Sequence, residues 1–416
     1  MGLHLPPALR HRRFTLLWLG LLVSVAGSQM QVWALFWHIR TLTDQPIALG
    51  GIGAARIVPV VVFSLIGGAI ADSFNRRRIL YLTQSAMALV AVGLGLLTQF
   101  EHITIWHIYL LTAIQAVAIA FDLPARQALV PNLVPTEDLP NAFSMTSIAF
   151  QTGAILGPAV SGFVIAYGGL QVVYYINAVT YLAVILALVM MGDIPQRVSR
   201  ARRQGLSLEA IREGVSFIIH QPIILSSMVL DFVATFFASA NTLMPIVAVD
   251  VLHVGVVQYG WLSAAQSVGA VLAALIVSQI NELRRQGALF LGSVIVFGIA
   301  TVVFGLSPWF MLAWIALAVT GAADSVSTII RNTIRQLQTP DEIRGRMTSV
   351  NQIFFQGGPQ LGEIEAGVVA QIFGAPIAIV TGGIGSIVGV LLIARKWPML
   401  RAYNGDEPVM AGASAD

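Results

Sequence analysis

The chain contains no cysteine and very little charge. The first absence excludes disulfides, thiolate metal sites and cysteine nucleophiles, and says nothing about compartment. The second is more telling. Charged residues make up 10% of 416 residues, against roughly 25% in an ordinary globular chain, too few to clothe a water-facing surface of this size. There is no G-x-x-x-x-G-K-[ST] loop, so ATP is not the direct energy source. No HExxH, GxSxG or His/Asp cluster falls within the apolar runs, and the seven histidines are scattered, so a membrane-embedded enzyme has no support. A non-transporting sensor would usually carry a soluble output domain, which the sequence lacks. No cofactor and no metal are expected.

What is present is hydrocarbon. Apolar residues reach 56% and mean hydropathy is +0.80, so the surface must face lipid. A pI near 9.4 invites a nucleic-acid partner, but net charge is only +3 and the basic residues sit in short clusters between apolar runs. That pattern orients a membrane protein. Arg10, Arg12 and Arg13 before the run from Phe14 imitate a secretory signal, yet the run passes Trp37 without a small-residue cleavage site. It is therefore read as an uncleaved first span.

With about 20 residues needed to cross roughly 30 Å of hydrocarbon, spans are predicted near 14–38, 47–71, 79–99, 104–125, 142–166, 170–192, 223–248, 257–280, 288–306, 308–330, 348–372 and 375–394. The connections at Tyr167-Gly168-Gly169 and Ser307-Pro308 are short, which leaves ten or eleven spans open if one is re-entrant. Charge tests the map. With a cytoplasmic N-terminus, all but Arg40 and Arg56 of the 23 basic residues fall inside, as the bias of short cytoplasmic loops requires. Both termini are expected in the cytoplasm, in a multi-pass protein of the inner membrane.

The halves echo each other. Asp122 and Asp324 are 202 residues apart, as are Met145-Thr146-Ser147 and Met347-Thr348-Ser349; Gly157-Pro158 matches Gly358-Pro359 at 201. Asp72 matches Glu282, and Ala54-Ala55 matches Ala264-Ala265, both at 210. The expected architecture is an all-α membrane protein, twelve transmembrane helices in two six-helix bundles related by a pseudo-two-fold. Residues 1–192 form the first bundle and 223–404 the second, with a polar linker over 193–222 and a disordered tail over 405–416. Within the linker, Ser207 reads as a helix start, and Leu208, Ile211, Val215 and Ile218 share one face, as in an amphipathic helix lying on the inner leaflet.

Three motifs resemble the major facilitator superfamily, within it the branch of enterobactin-exporter-like and related efflux permeases. Gly68-Ala-Ile-Ala-Asp72-Ser-Phe-Asn-Arg76-Arg77-Arg78 is similar to its G-x-L-A-D-R-x-G-R-R loop between spans 2 and 3. Ser73 stands where that motif has Arg, which alters the inner ion-pair network. Asn75 stands where it has Gly, and Asn is the next residue able to adopt a left-handed turn. Gly153, Gly157, Pro158 and Gly162 in the fifth span resemble an exporter-associated G-x-x-x-G-P-x-x-G-G motif; small residues let helices approach and proline bends the helix. Plain helix packing explains these glycines as well. The stretch from Asp122 through Arg126 looks like the loop between spans 4 and 5. The superfamily's span-4 Arg has no counterpart, since that span carries only Gln115, so its coupling role does not transfer.

Charge at bilayer depth costs roughly 2.5–3.5 kcal/mol and usually faces a cavity or a partner. Arg56, Glu363 and Glu365 fall in the outer half of their spans, and the resemblance implies that spans 2 and 11 are neighbours. Arg56 is therefore expected to pair with Glu363 or Glu365, either as a coupling pair or as a permanent structural one. The two acids lie about 200° apart around a helix, so both cannot face one partner. Asp231, in span 7, has no evident partner in sequence, which suits proton coupling or a hydrogen bond to a neighbouring helix. Asp122 with Arg126, and Asp324 with Arg331 or Arg335, read as gate salt bridges. Gln29, Gln31, Gln115 and Asn241 are substrate contacts or packing groups, since the resembling fold lines its cavity with spans 1, 4, 7 and 10. The function implied is secondary active transport, a proton-coupled exporter of amphipathic, drug-like or siderophore-like molecules working by alternating access as a monomer. Nutrient uptake and lysophospholipid flipping are the alternatives.

Overall fold

In lipid every backbone polar group must be satisfied within its own segment, which favours helices wherever the chain is apolar for twenty residues or more. The computed structural model describes residues 6–194, 208–237, 240–280 and 284–405, without the side chains of 64–69, 71–73, 208–213, 240, 341–342, 344–346, 348–349, 352–353 and 355–356. Among the described residues there is no strand. The long helices are α1 (Arg12–Leu42), α2 (Pro46–Ser73), α3 (Arg76–Gln99), α4 (Ile105–Leu129), α5 (Leu139–Gly168) and α6 (Leu170–Met190), then α7 (Pro222–Phe237), α8 (Val256–Ser278), α9 (Gln286–Leu306), α10 (Phe310–Leu337), α11 (Asp341–Phe373) and α12 (Ala375–Lys396). Eleven of these tracts are long and apolar enough to cross a membrane. The twelfth, α11, has the length but carries charge along it, including Glu363 and Glu365.

The doubtful connections join separate full-length helices. At the end of α5 the chain turns through Gly169 at φ 84°, and at the end of α11 through Gly374 at φ 87°, a left-handed geometry that glycine enters without strain. Asn75 behaves otherwise than expected: its φ of −64° and ψ of 110° are extended, not left-handed. Its side-chain oxygen instead accepts from Arg77 N at 3.0 Å and Arg78 N at 3.3 Å. Asn replaces the motif's Gly as an N-cap of α3, a role worth about 1 kcal/mol. The seventh span also departs from one continuous helix, since a tight turn at Ala240–Leu243 and a wide π turn at Val247–Val251 follow α7.

By packing, the chain forms two units. One comprises Met1–Asp44, Val58–Gln204 and Gly255–Ala264; the other comprises Gln45–Ile57, Gly205–Val254 and Ala265–Asp416. Packing therefore departs from linear order, because the first half of α2 belongs with the second unit and the first turns of α8 with the first. In the first unit α1 packs on α5 and α6, and α3 on α4 and α6, around Phe14, Leu17, Leu80, Leu129, Met145 and Leu188. In the second, α9 packs on α10 and α12, and α7 on α11 and α12, around Leu230, Phe290, Val294, Ile330, Ile334 and Tyr403. Leu82, Leu89, Leu110, Ile276 and Leu392 are all more than half exposed, an apolar exterior that only lipid makes favourable.

The linker helix spans Leu208–His220; its expected start at Ser207 lies outside the described residues, as do positions 195–206 and the tail from 406. Its apolar side is not left wholly to the leaflet. Ile218 and Phe217 pack with Ile224 and Met228 of α7 and with Met347 and Val350 of α11, while Val215 and Ile219 stay exposed.

Candidate functional site

In the second unit, α7 carries Asp231 on its buried face and α10 carries Arg331 and Arg335 one turn apart, a spacing that puts both on one side of a helix. Arg331 Nη1 lies 2.8 Å from Asp231 Oδ1, and Arg335 Nη2 lies 3.2 Å from Oδ2. The first contact is an ion pair off the line of the N–H bonds, since Oδ1 accepts no hydrogen bond. Arg335 also donates to Ser227 O at 3.3 Å and Ser227 Oγ at 3.4 Å. Asp324 adds a second carboxylate 3.5 Å from Arg331. Two acids thus balance two guanidinium groups in a place where each buried ion costs several kcal/mol. Of the two readings of Asp231, the hydrogen bond to a neighbouring helix is the one found, from Arg335 Nη2; its partners lie about a hundred residues away, and only tertiary packing brings them there.

In the first unit Asp122 is held within α4 by Arg126, one turn on. Its Oδ1 accepts from Thr83 Oγ1 at 2.9 Å and Gln84 Nε2 at 2.7 Å, both on α3. Above it lies a buried amide network. Gln31 donates to Gln115 Oε1 at 2.7 Å, Asn177 donates to Gln31 Oε1 at 2.7 Å, and Gln115 donates to Tyr181 OH at 3.1 Å. Ser28 donates to the same hydroxyl. Gln31 is 1% exposed and Gln115 7%, so both amides are spent on packing α1, α4 and α6 together. Of the two readings open for them, this arrangement fits the packing one.

The glycine motif of α5 works on two faces. A Cβ on Gly153 would stand 2.6 Å from a Val25 methyl, and one on Gly157 2.5 Å from Gln29 Cβ, so these glycines admit α1. A Cβ on Gly162 would stand 2.7 Å from Val256 O, and one on Gly260 2.9 Å from Pro158 O. Gly162 and Pro158 therefore admit the start of α8, which Tyr259 anchors by donating to Trp33 O at 2.9 Å. A second close approach lies in the other unit. A Cβ on Gly50 would meet Glu363 O at 2.8 Å, and one on Gly53 would meet Gln360 O at 2.5 Å and Glu363 Cβ at 2.8 Å. Beside this contact Arg56 Nη1 sits 3.7 Å from Glu363 Oε1, both side chains mostly buried. Glu363 Oε2 and Gln360 Oε1 are shut from solvent without a hydrogen-bond partner.

A helical, lipid-facing chain with glycine-lined helix contacts and balanced intramembrane charge is built like a transporter, and comparison with known proteins decides its kind. The family described as transmembrane secretion effector matches residues 5–407. The chain belongs to that family of major facilitator transporters. The chain is 25% identical over 403 residues to the enterobactin exporter EntS of Citrobacter koseri, covering 97% of this chain and 96% of that protein. It is 26% identical over 330 residues to the enterobactin exporter EntS of Escherichia coli O81, covering 79% and 78%. Among solved structures, a bacterial homologue of the human lysosomal transporter Spinster, inward-facing and unoccupied, superposes with a TM-score of 0.72 at 14% identity, covering 96% and 98%. The nucleoside transporter NupG does so at 0.69 and 16% identity, covering 92% and 99%. This chain is thus a multi-pass integral membrane transporter and not an enzyme.

In this secretion-effector chain the remaining predicted residues fall as follows. The side chains of Gly68 and Asp72 lie outside the described ones. Arg76 is buried. Arg77 ties α3 to the end of α6, donating to Leu188 O at 2.9 Å and pairing with Asp193 at 3.0 Å. Gln29 is half-buried with an uncommitted amide, and Asn241 Oδ1 is buried and unpaired. Glu365 is half-buried and, unlike Glu363, makes no ion pair or hydrogen bond among the described residues. Sequence reasoning passed over Asn177, Tyr181, Ser227, Gly50, Gly53 and Gly260. The Gly50-x-x-Gly53 spacing was a readable signal; Asn177 and Tyr181 carried none.

Proposed function

We propose that this protein exports an amphipathic, siderophore-like small molecule across the inner membrane by alternating access, coupled to protons, with both termini cytoplasmic. The observation that carries the reading is the α2–α11 contact: Gly50 and Gly53 backed against Gln360 and Glu363, with Arg56 3.7 Å from the Glu363 carboxylate. In this reading the contact closes the periplasmic end and must part once per cycle. A proton arriving on Glu363 cancels its charge, releases Arg56 and lets the two helices separate; its departure draws them together. The unpaired Glu363 Oε2 is an acceptor ready for that proton. Asp231 suits the task less, because a guanidinium stands against each of its oxygens. Export as the direction is supported by the Gly153–Gly162 motif and by relatives named as enterobactin exporters.

The test is accumulation in everted vesicles of a panel of dyes, siderophores and lysolipids, with and without a pH gradient. The expected result is gradient-dependent accumulation of a siderophore or dye, with Glu363→Gln uncoupling it from the gradient. Accumulation of none, with nutrient uptake in whole cells instead, overturns export. Gradient dependence surviving in both Arg56→Gln and Glu363→Gln overturns the coupling role. Lysolipid accumulation alone turns the assignment to lipid flipping.

A further inference from the structure

The opposite side of α11 from Glu363 is organised around a different acid. At roughly 100° per residue, Phe354, Gly358, Leu361 and Glu365 fall on one face of the helix, within about 60° of one another. The contacts of the first two show what that face meets. The Phe354 ring stands edge-on to Phe232 of α7 at 6.1 Å, and Phe232 stacks on Phe236 at 5.9 Å. A Cβ on Gly358 would touch Thr235 and Phe232. The two helices climb in parallel, because Ile224 and Met228 cluster with Met347 and Val350 lower down. Carried upward, the same register sets Glu365 level with Asn241 and Thr242, on the turn Ala240–Leu243 that packs against α11.

Asn241 Oδ1 and Thr242 Oγ1 are sealed from solvent with no hydrogen-bond partner, and Glu365, half-buried, has neither counter-ion nor donor among the described residues. Asp231 is already balanced by Arg331 and Arg335, and Glu363 by Arg56. A solitary carboxylate at bilayer depth is costly and calls for a cation. Aromatic faces favour the same charge, and unpaired carbonyl and hydroxyl oxygens favour one that bears N–H groups.

We infer that Glu365, Asn241 and Thr242, with Phe232, Phe236 and Phe354 below them, form a binding site for a protonated amine on an aromatic or alkyl body. The site deepens the transport reading and rests on it for the route across the membrane, though not for binding itself.

The test uses three probes with one body: 4-phenylbutylammonium, 4-phenylbutyltrimethylammonium and 4-phenylbutyrate, titrated into the full chain in lipid nanodiscs by calorimetry. The ammonium is expected to bind, the trimethylammonium more weakly and the carboxylate not at all. Glu365→Gln should weaken ammonium binding on the order of 10- to 100-fold, the loss of one charge-assisted contact, and Glu365→Asp should restore part of it. Should Glu365→Gln not yield folded protein, Asn241→Leu and Phe232→Ala carry the same test, each lowering affinity at least about threefold. Absence of ammonium binding, equal binding of either companion, or indifference to these substitutions overturns the site. In everted vesicles, movement of none of the panel or probe compounds despite ammonium binding would sink the transport reading and leave the site standing.

Discussion

Replacing Asp231 by Asn keeps the shape of the buried cluster and removes one charge. The parent holds two guanidinium groups against two carboxylates, with Arg331, Arg335 and Asp231 side chains only 3–4% exposed. Without the Asp231 charge, Arg331 still has Asp324 at 3.5 Å, a carboxylate 51% exposed. Arg335 is left with the oxygens of Ser227 at 3.3 and 3.4 Å, neutral acceptors at long range. An uncompensated buried charge of this kind costs about 3–5 kcal/mol, whereas replacing a whole buried pair by groups of similar volume is often neutral or better. Asp231→Asn is therefore expected to lose about 3–5 kcal/mol, and Asp231→Asn with Arg335→Met to return to within about 2 kcal/mol of the parent. Both are measured by titrating purified protein in mixed micelles with sodium dodecyl sulfate and following tryptophan fluorescence and helix content. A single-variant loss below about 1 kcal/mol, or a double variant as damaged as the two singles summed, would refute the charge balance, since contacting residues should couple by about 0.5–3 kcal/mol.

Three further outcomes follow from the helix contacts. The chain has no cysteine, so Ile47→Cys with Gln371→Cys can be placed in the natural sequence where Gln371 Oε1 accepts from Ile47 N at 3.4 Å; a short thiol-reversible cross-linker should stop transport in vesicles, and reductant should restore it. Gly260→Val forces side-chain atoms toward Pro158 O and Gly162 at about 1–3 kcal/mol of overpacking; transport should fall sharply while membrane insertion, read by immunoblot, persists, and Gly260→Ala should be milder. Gln31→Leu strands the amides of Gln115 and Asn177 and should cost about 1–3 kcal/mol in the detergent titration without changing cargo preference. Gln29→Leu should change preference in the vesicle panel with little effect on stability.

These outcomes divide along the line between what the sequence displays and what it hides. Span positions were legible because lipid imposes a length and a composition on each crossing, and the linker helix showed itself by periodicity at Leu208, Ile211, Val215 and Ile218. The nearness of Arg56 to the acids of α11 was legible only through family resemblance, since more than 300 residues separate Arg56 from Glu363. Asp231 looked solitary because Arg331 and Arg335 were already accounted for by nearby Asp324, and a local rule assigns nearest neighbours first. Gln31 and Gln115 left two readings open because polarity in a span has two causes that are identical in one dimension: facing a cavity, or finding another amide. Only the positions of Asn177 and Tyr181 separate the two.

That ambiguity has a useful converse. Once packing has consumed the polar groups it needs, those left over carry information. Gln31, Gln115, Asn177 and Asp122 are hydrogen-bonded and Asp231 is ion-paired, whereas among the described residues Gln29, Asn241 Oδ1, Thr242 Oγ1, Gln360 Oε1, Glu363 Oε2 and Glu365 have no hydrogen-bond partner. Bare buried oxygens also occur at Gln84, Thr112 and Asn351, so bareness alone marks no site; what sets Glu363 Oε2 and the oxygens of Asn241 and Thr242 apart is that each belongs to, or in the inferred site stands beside, an acid of α11, where a proton or a cargo can complete it. Glu363 and Glu365 then have separate work by geometry alone: about 200° of helix stands between them, so Glu363 answers to Arg56 and the closing of α2, while Glu365 answers to whatever occupies the aromatic slot beside α7.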